Sequence, residues 1–182
     1  MGHAVSVTAM QIHQAMSAVA NDGILMKPRF IERIFDKDGK TVVSFESKPV
    51  RRVLSAGVAD TLSKMLVSVV SAEGTARRAS IPGFAVAGKT GTTQKIVEGR
   101  YSNRHHVASF VGYFPAENPQ IAVTVVVDEP KMKKGFLGYG GSVAAPSFKR
   151  VGQKIIGYLG LQPRSEAKDA LALESMKRLG AL

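Results

Sequence analysis

The sequence predicts a mixed α/β fold of the α+β type, an antiparallel β-sheet packed by helices. Three observations carry that expectation. Apolar residues recur at helical spacing between Met10 and Val19, between Val58 and Val70, and between Val143 and Leu159. Short β-branched or aromatic runs stand between the second and third of these stretches. The link Pro115-Ala116-Glu117-Asn118-Pro119 between two such runs is short enough for a hairpin, whereas parallel strands need a crossover of about a dozen residues or more.

The elements follow in order. Thr8 reads as an N-cap, with Met10, Ile12, Ala15, Met16 and Val19 on one face behind it, so a helix is expected over residues 9–20, stopped by Asn21-Asp22-Gly23. Residues 28–34 and 41–45 favour extended chain, and Asp36-Lys37-Asp38-Gly39 is a turn signal, so they read as a hairpin. Ser55 caps a second amphipathic helix that ends before Gly74. Strands are expected over residues 84–87, 107–113 and 121–127. Ser142, after Gly140-Gly141, reads as the N-cap of a last helix that stops at Gly160. Residues 1–160 then form one unit, and 161–182 a weakly helical or frayed tail.

Composition narrows the class. At 182 residues, 45% hydrophobic and 21% charged, the chain fits one ordinary globular domain, and no apolar run is long enough for a membrane span. The first residues lack a basic flank leading into an apolar core, so no signal peptide is expected among them. Without cysteine there is no disulfide and no thiolate metal site. The net charge of +11 raises a polyanion partner, but the basic residues come in scattered pairs such as Arg51-Arg52, Arg77-Arg78 and Lys133-Lys134 without interleaved aromatics. Nucleic-acid binding is therefore not expected.

Chemistry concentrates in Gly88-Lys89-Thr90-Gly91-Thr92-Thr93, placed where the strand from Phe84 is expected to run into a turn. A cation, hydroxyl donors and glycine-exposed backbone N–H groups together suit a carboxylate and a developing oxyanion. Strand alternation puts Thr90 and Thr92 on one face, able to meet one anionic group. A polar strand edge with a bulge is the plain structural alternative. His105-His106 would point to opposite faces, which speaks against a shared metal. Tyr139-Gly140-Gly141-Ser142 lacks the lysine of a phosphate loop, and Gly99-Arg100-Tyr101-Ser102-Asn103-Arg104 reads as a solvated hairpin tip.

The words around Lys89-Thr90-Gly91 resemble one family. Val7-Thr8-Ala9-Met10-Gln11, Ala18-Val19-Ala20-Asn21-Asp22-Gly23, Gly74-Thr75-Ala76, Gly88-Lys89-Thr90-Gly91-Thr92-Thr93-Gln94-Lys95, Gly99-Arg100-Tyr101 and Tyr139-Gly140-Gly141-Ser142 stand in the order seen in class B penicillin-binding proteins. The resemblance covers residues 1–160 and is strongest to the division-type transpeptidases. One departure is Ala9, where the family commonly has proline; alanine also suits a first helical position.

The resemblance implies the carboxy-terminal part of a transpeptidase domain with the penicillin-binding protein and serine β-lactamase fold. It implies a serine-type D,D-transpeptidase that cross-links peptidoglycan stem peptides through an acyl-enzyme, needs no cofactor, and is blocked by β-lactams. By family position, Lys89 sits in the cleft, Thr90, Gly91 and Thr92 bind the donor peptide's terminal carboxylate, and the Thr92 N–H is an oxyanion-hole donor. Such a protein works on the extracytoplasmic, periplasmic face of the inner membrane with the division or elongation machinery.

Two family motifs are missing. No Ser-x-Asn or Ser-x-Asp occurs, and the one Ser-x-x-Lys, Ser165-Glu166-Ala167-Lys168, follows the last packing helix, where a helix cap is the better account. The family's spacing puts both motifs upstream, in a missing amino-terminal half, so this chain alone is expected to be inactive. The alternative is a non-catalytic basic binding module on the same fold.

Overall fold

A computed structural model describes residues 5–131 and 138–163, with the side chains of Asn103 and Arg104 excepted. Helix α1 (Ala9–Ala20) opens on a capping box: the Thr8 hydroxyl accepts from the Gln11 N–H at 3.2 Å, and the Thr8 N–H donates to Gln11 Oε1 at 2.8 Å. Strands β1 (Ile24–Met26), β2 (Arg33–Phe35), β3 (Thr41–Ser44) and β4 (Pro49–Arg52) form two small antiparallel pairs, β1 with β4 and β2 with β3. Helix α2 (Ala56–Ser68) is capped by Ser55, whose hydroxyl accepts from the Val58 N–H. A 3₁₀ turn (Arg77–Ala79) leads to β5 (Ala87–Val97), β6 (Arg100–Phe114) and β7 (Ile121–Asp128), which form an antiparallel sheet in the order β5-β6-β7. Helix α3 (Ala144–Leu159) ends at Gly160, whose φ of 65° is the left-handed cap that glycine adopts without strain.

The sheet is the middle of three layers. On one face α3 and the 3₁₀ turn bury Phe110, Phe114, Phe148, Ile81 and Val86, with Val123 and Val125 of β7 packed against them. The Phe110 and Phe148 rings meet edge to face, centroids 4.8 Å apart. On the other face α1 and α2 cover Ala87, Val111 and Tyr113 through Met16, Leu66 and Val67. Both faces of β6 are therefore buried, which is why its central stretch reads as a nearly continuous apolar run.

Several expectations shift. The strand expected at residues 28–34 is β2 at Arg33–Phe35. Pro28 has no N–H to give to a ladder, and Lys27 and Lys48, bonded N–H to C=O at 2.8 Å, instead close the β1–β4 pair, which the sequence did not suggest. The strand expected at residues 84–87 begins only at Ala87 and continues through the glycine word to Val97, so Lys89–Thr92 lies inside a strand and not in a turn. Its partner starts at Arg100, because Glu98 and Gly99, with φ of 51° and 76°, make a tight two-residue hairpin turn. Of the loop expected at residues 99–104 only Gly99 lies at the tip, and residues 100–104 belong to β6. Ser142 is not an N-cap: its hydroxyl donates to the Tyr139 carbonyl at 3.0 Å, and α3 begins two residues later, with Val143 at the cap position and no side-chain cap. The Ala144 and Ala145 N–H groups go instead to the Gly140 carbonyl. The tail helix expected between Ser165 and Leu179 lies outside the described residues.

Candidate active site

Strand β5 is an outer strand of its sheet, and the register with β6 sets Lys89 opposite Val111, Thr90 opposite Phe110, Gly91 opposite Ser109 and Thr92 opposite Ala108. Residues opposite one another share a face, so Thr90 and Thr92 lie on the α3 side with Phe110, and Lys89 and Gly91 on the α1–α2 side with Val111. Glycine is required just before the motif. A Cβ at Gly88 would stand 2.4 Å from Phe110 Cζ and 2.8 Å from the Val111 carbonyl oxygen, and one at Gly112 would stand 2.6 Å from the Ala87 oxygen. The pair Gly88–Gly112 thus makes room for the Phe110 ring beneath the motif.

Two outside segments hold the threonines. The turn after α2 brings the Thr75 hydroxyl to 3.2 Å from that of Thr90. The segment before α3 crosses β5, and the Gly140 N–H donates to Thr92 Oγ1 at 3.2 Å. That crossing is close: a Cβ at Gly140 would stand 2.3 Å from the Ser109 oxygen and 2.6 Å from the Gly91 oxygen, and one at Gly141 would stand 2.2 Å from the Thr75 oxygen. A hydroxyl oxygen that accepts a hydrogen bond from behind still has its proton to give forward. Thr92 is therefore set up as a donor, on the same face as Thr90, and the pair can meet one anion.

Lys89 is exposed, and its ammonium donates to the Thr90 carbonyl at 2.9 Å. It lies beside an apolar groove of about 360 Å³ between α1, α2 and the sheet, lined by Ile12, Met16, Leu62, Leu66, Gly91 and Ser109 among others. A larger groove of about 520 Å³ lies between residues 27–31 and 44–48, remote from the motif and holding none of its residues. Among the described residues no three acidic or histidine side chains gather as metal ligands, and no helix is long and apolar enough to cross a membrane. His105 and His106 diverge: His105 Nδ1 lies 3.3 Å from Glu129 Oε1, and His106 Nε2 lies 2.9 Å from the Gly138 carbonyl oxygen.

This is a cation beside an apolar groove, with two oriented hydroxyls on a strand edge. The profile described as penicillin binding protein transpeptidase domain matches residues 1–153. The chain belongs to that family. It is 39% identical over 164 residues to the stage V sporulation protein D of Bacillus subtilis, which covers 90% of this chain and 25% of that protein. It is 34% identical over 162 residues to a probable peptidoglycan D,D-transpeptidase, PenA, of Neisseria gonorrhoeae, covering 89% of this chain and 26% of that protein. The crystal structure of penicillin-binding protein 3 from Mycobacterium tuberculosis, complexed with ampicillin, superposes with a TM-score of 0.76 at 30% identity, covering 89% of this chain and 37% of that one. These matches show the resemblance to class B penicillin-binding proteins drawn from the motifs, and the helix-packed antiparallel fold expected of this transpeptidase. The chain spans about a quarter of the length of the two relatives.

Thr75 carried no assigned role in the sequence, although it stands in a quoted family word. Its signal, a hydroxyl residue in a turn ahead of the strand, is too common to single out without the fold. The bond from the Gly140 N–H to Thr92 is likewise a long-range contact that no local pattern encodes.

Proposed function

We propose that this chain is the carboxy-terminal part of the transpeptidase domain of a serine-type D,D-transpeptidase that cross-links peptidoglycan stem peptides on the extracytoplasmic face of the membrane. The observation that carries the proposal is the pair Thr90 and Thr92, held on one face of an outer strand, with the Thr92 oxygen already occupied from behind. Their hydroxyls bind the terminal carboxylate of the donor peptide, or the carboxylate of a β-lactam, and Gly91 leaves that stretch of backbone open to the ligand. The Thr92 N–H stabilises the oxyanion formed when a serine attacks the ligand's carbonyl. Lys89, whose ammonium now donates to the Thr90 carbonyl, sits in the cleft and bonds toward the serine of the Ser-x-Asn motif.

The serine comes from an upstream half with the Ser-x-x-Lys and Ser-x-Asn motifs, and the apolar groove beside Lys89 supports this. Exposed side chains such as Ile12, at 36%, and Val58, at 48%, leave helix surface of α1 and α2 without a cover. In the complete protein the division or elongation machinery is the partner.

The test is covalent capture of a fluorescent penicillin. The chain alone should neither retain the label after denaturing electrophoresis nor hydrolyse a chromogenic cephalosporin, whereas the chain joined to its upstream half should retain the label. Lys89→Ala and Thr92→Val should each weaken capture in the joined protein by about tenfold or more, the effect of losing one charge-assisted contact. A label on Ser165 of the isolated chain, or full capture by both variants, sinks the proposal. A joined protein that captures no β-lactam favours instead a basic, non-catalytic binding module.

A further inference from the structure

Among the described residues two hydrogen bonds tie the segment ahead of α3 to the sheet, and only one of them touches the proposed anion site directly. Gly140 reaches Thr92 on β5 through its N–H. Two residues earlier, the Gly138 carbonyl lies 2.9 Å from His106 Nε2 on β6. A carbonyl oxygen only accepts, so Nε2 carries the proton and donates. The register sets His106 opposite Gln94 and Ala108 opposite Thr92, so His106 and Thr92 lie on the same face of neighbouring strands, one step apart along the sheet.

We propose that His106 is a positioning residue for the anion-binding side of this site. By holding the Gly138 carbonyl it fixes the crossing segment at the height where the Gly140 N–H occupies the Thr92 oxygen. With that oxygen occupied, the Thr92 hydroxyl proton is aimed at the incoming carboxylate. The inference rests on the transpeptidase reading above. His106 is suited to the task because its two jobs separate: its backbone carbonyl accepts from the Glu129 N–H at 3.0 Å and keeps the end of β7 in place, whereas its ring reaches the Gly138 carbonyl before α3. Removing the ring therefore releases the segment at Gly138 and leaves the strand ladder intact. The ring is half-buried and Gly138 and Gly140 are buried, so water is poorly placed to substitute for the lost donor.

The experiment compares two ligands in the complete transpeptidase that contains this chain, labelled benzylpenicillin and its carboxylate methyl ester, which cannot offer the anion. In His106→Ala the acylation rate constant for the penicillin should fall by about tenfold, the effect of one misdirected hydrogen bond to a charged group, while that for the ester changes less than about twofold. A purely structural role would lower both rates alike and leave their ratio unchanged, and that result overturns the inference. Should His106→Ala not fold, His106→Gln against His106→Met makes the same comparison between a side chain that donates and one that does not. The glutamine variant should keep the ligand preference and the methionine variant lose it; equal preference in the two overturns the inference. Hydrogen exchange at the Gly140 amide reads the hold without any acylation and should quicken by about tenfold in the variant without the donor. Unchanged exchange sinks this inference alone. A parent protein that no penicillin acylates fails the transpeptidase reading first, and with it the anion-directed half of this one.

Discussion

The hydroxyls of Thr75 and Thr90 lie 3.2 Å apart, joining the turn after α2 to the middle of the Lys-Thr-Gly motif across 15 residues of sequence. Either hydroxyl is able to donate, so replacing Thr75 removes the neighbour that fixes how the Thr90 hydroxyl is turned. In the complete protein Thr75→Val should slow acylation by a labelled penicillin roughly fivefold, matching about 1 kcal/mol for one neutral hydrogen bond. Thr75→Ser should retain most of the rate, since it keeps the hydroxyl. Equal rates in parent and Thr75→Val would show that Thr90 is oriented without it.

Much of this arrangement was legible in sequence, for identifiable reasons. Helices α1 and α2 declare themselves through local signals, a capping hydroxyl followed by an apolar stripe, and their starts follow from Thr8 and Ser55, although α2 stops at Ser68, short of the Val69 and Val70 expected on it. Strand β5 is harder to read, because glycine, lysine and threonine have little to recommend a strand; pairing with β6 over nearly its whole length overrides that weakness. The start of α3 misled for the opposite reason. Ser142 is a good cap by type, but the close crossing of Gly140 and Gly141 over β5 determines where the helix begins, and that crossing is a tertiary fact. The family words located the motif, while the residues that hold it from behind, Thr75, His106 and Gly140, emerge only once the segments are folded together.

Gly88 should tolerate no side chain. A methyl group there would stand 2.4 Å from Phe110 Cζ and 2.8 Å from the Val111 carbonyl oxygen, and the latter is backbone in the middle of the sheet. The Phe110 ring must then leave its edge-to-face contact with Phe148, both of which are fully buried. Gly88→Ala should cost about 1–3 kcal/mol, as overpacking of a filled core does, and the fall in thermal midpoint measures it. A variant as stable as the parent would mean that the ring is free to move aside.

Tyr113 makes the opposite prediction. Its side chain is fully buried between the sheet and α1–α2, and among the described residues its hydroxyl has no hydrogen-bond partner at bonding geometry. Burial pushes the phenol above its ordinary pKa, opposed only by the neighbouring Ser63. The missing bond outweighs Ser63's effect, because hydrogen-bond strength falls steeply once distance and angle are poor. Tyr113→Phe removes an unsatisfied polar atom and keeps the ring, so stability should hold or rise by up to about 1–3 kcal/mol. A clear loss on thermal unfolding would reveal a partner for that hydroxyl.

The far end of the sheet carries an ion cluster whose pH response follows from its geometry. Lys95 on β5 reaches across β6 to Asp128 Oδ1 at 2.7 Å and Glu129 Oε1 at 2.9 Å, and His105 Nδ1 on β6 lies 3.3 Å from the same Glu129 oxygen. The hydrogen bond to Asp128, then the one to Glu129, raises the Lys95 pKa, and the hydrogen bond from Lys95 lowers that of Glu129. The signs oppose one another. A lowered carboxyl pKa gives stability that is complete above the ordinary glutamate range and is lost as pH falls through the lowered folded value; a raised lysine pKa gives stability that is complete below the ordinary lysine range and is lost as pH rises through the raised folded value. The cluster should therefore contribute a plateau across neutral pH that declines at both ends. Its members are partly exposed, so added salt should shrink the plateau. Lys95→Met should move the Glu129 titration, followed by carboxyl NMR, up toward the ordinary glutamate value. The stability difference between parent and variant should narrow both in acid, where Glu129 is protonated in either protein, and in strong base, where Lys95 has lost its charge. A difference that stays constant from acid to base would assign the variant's effect to the packing of the lysine stem and not to its charge.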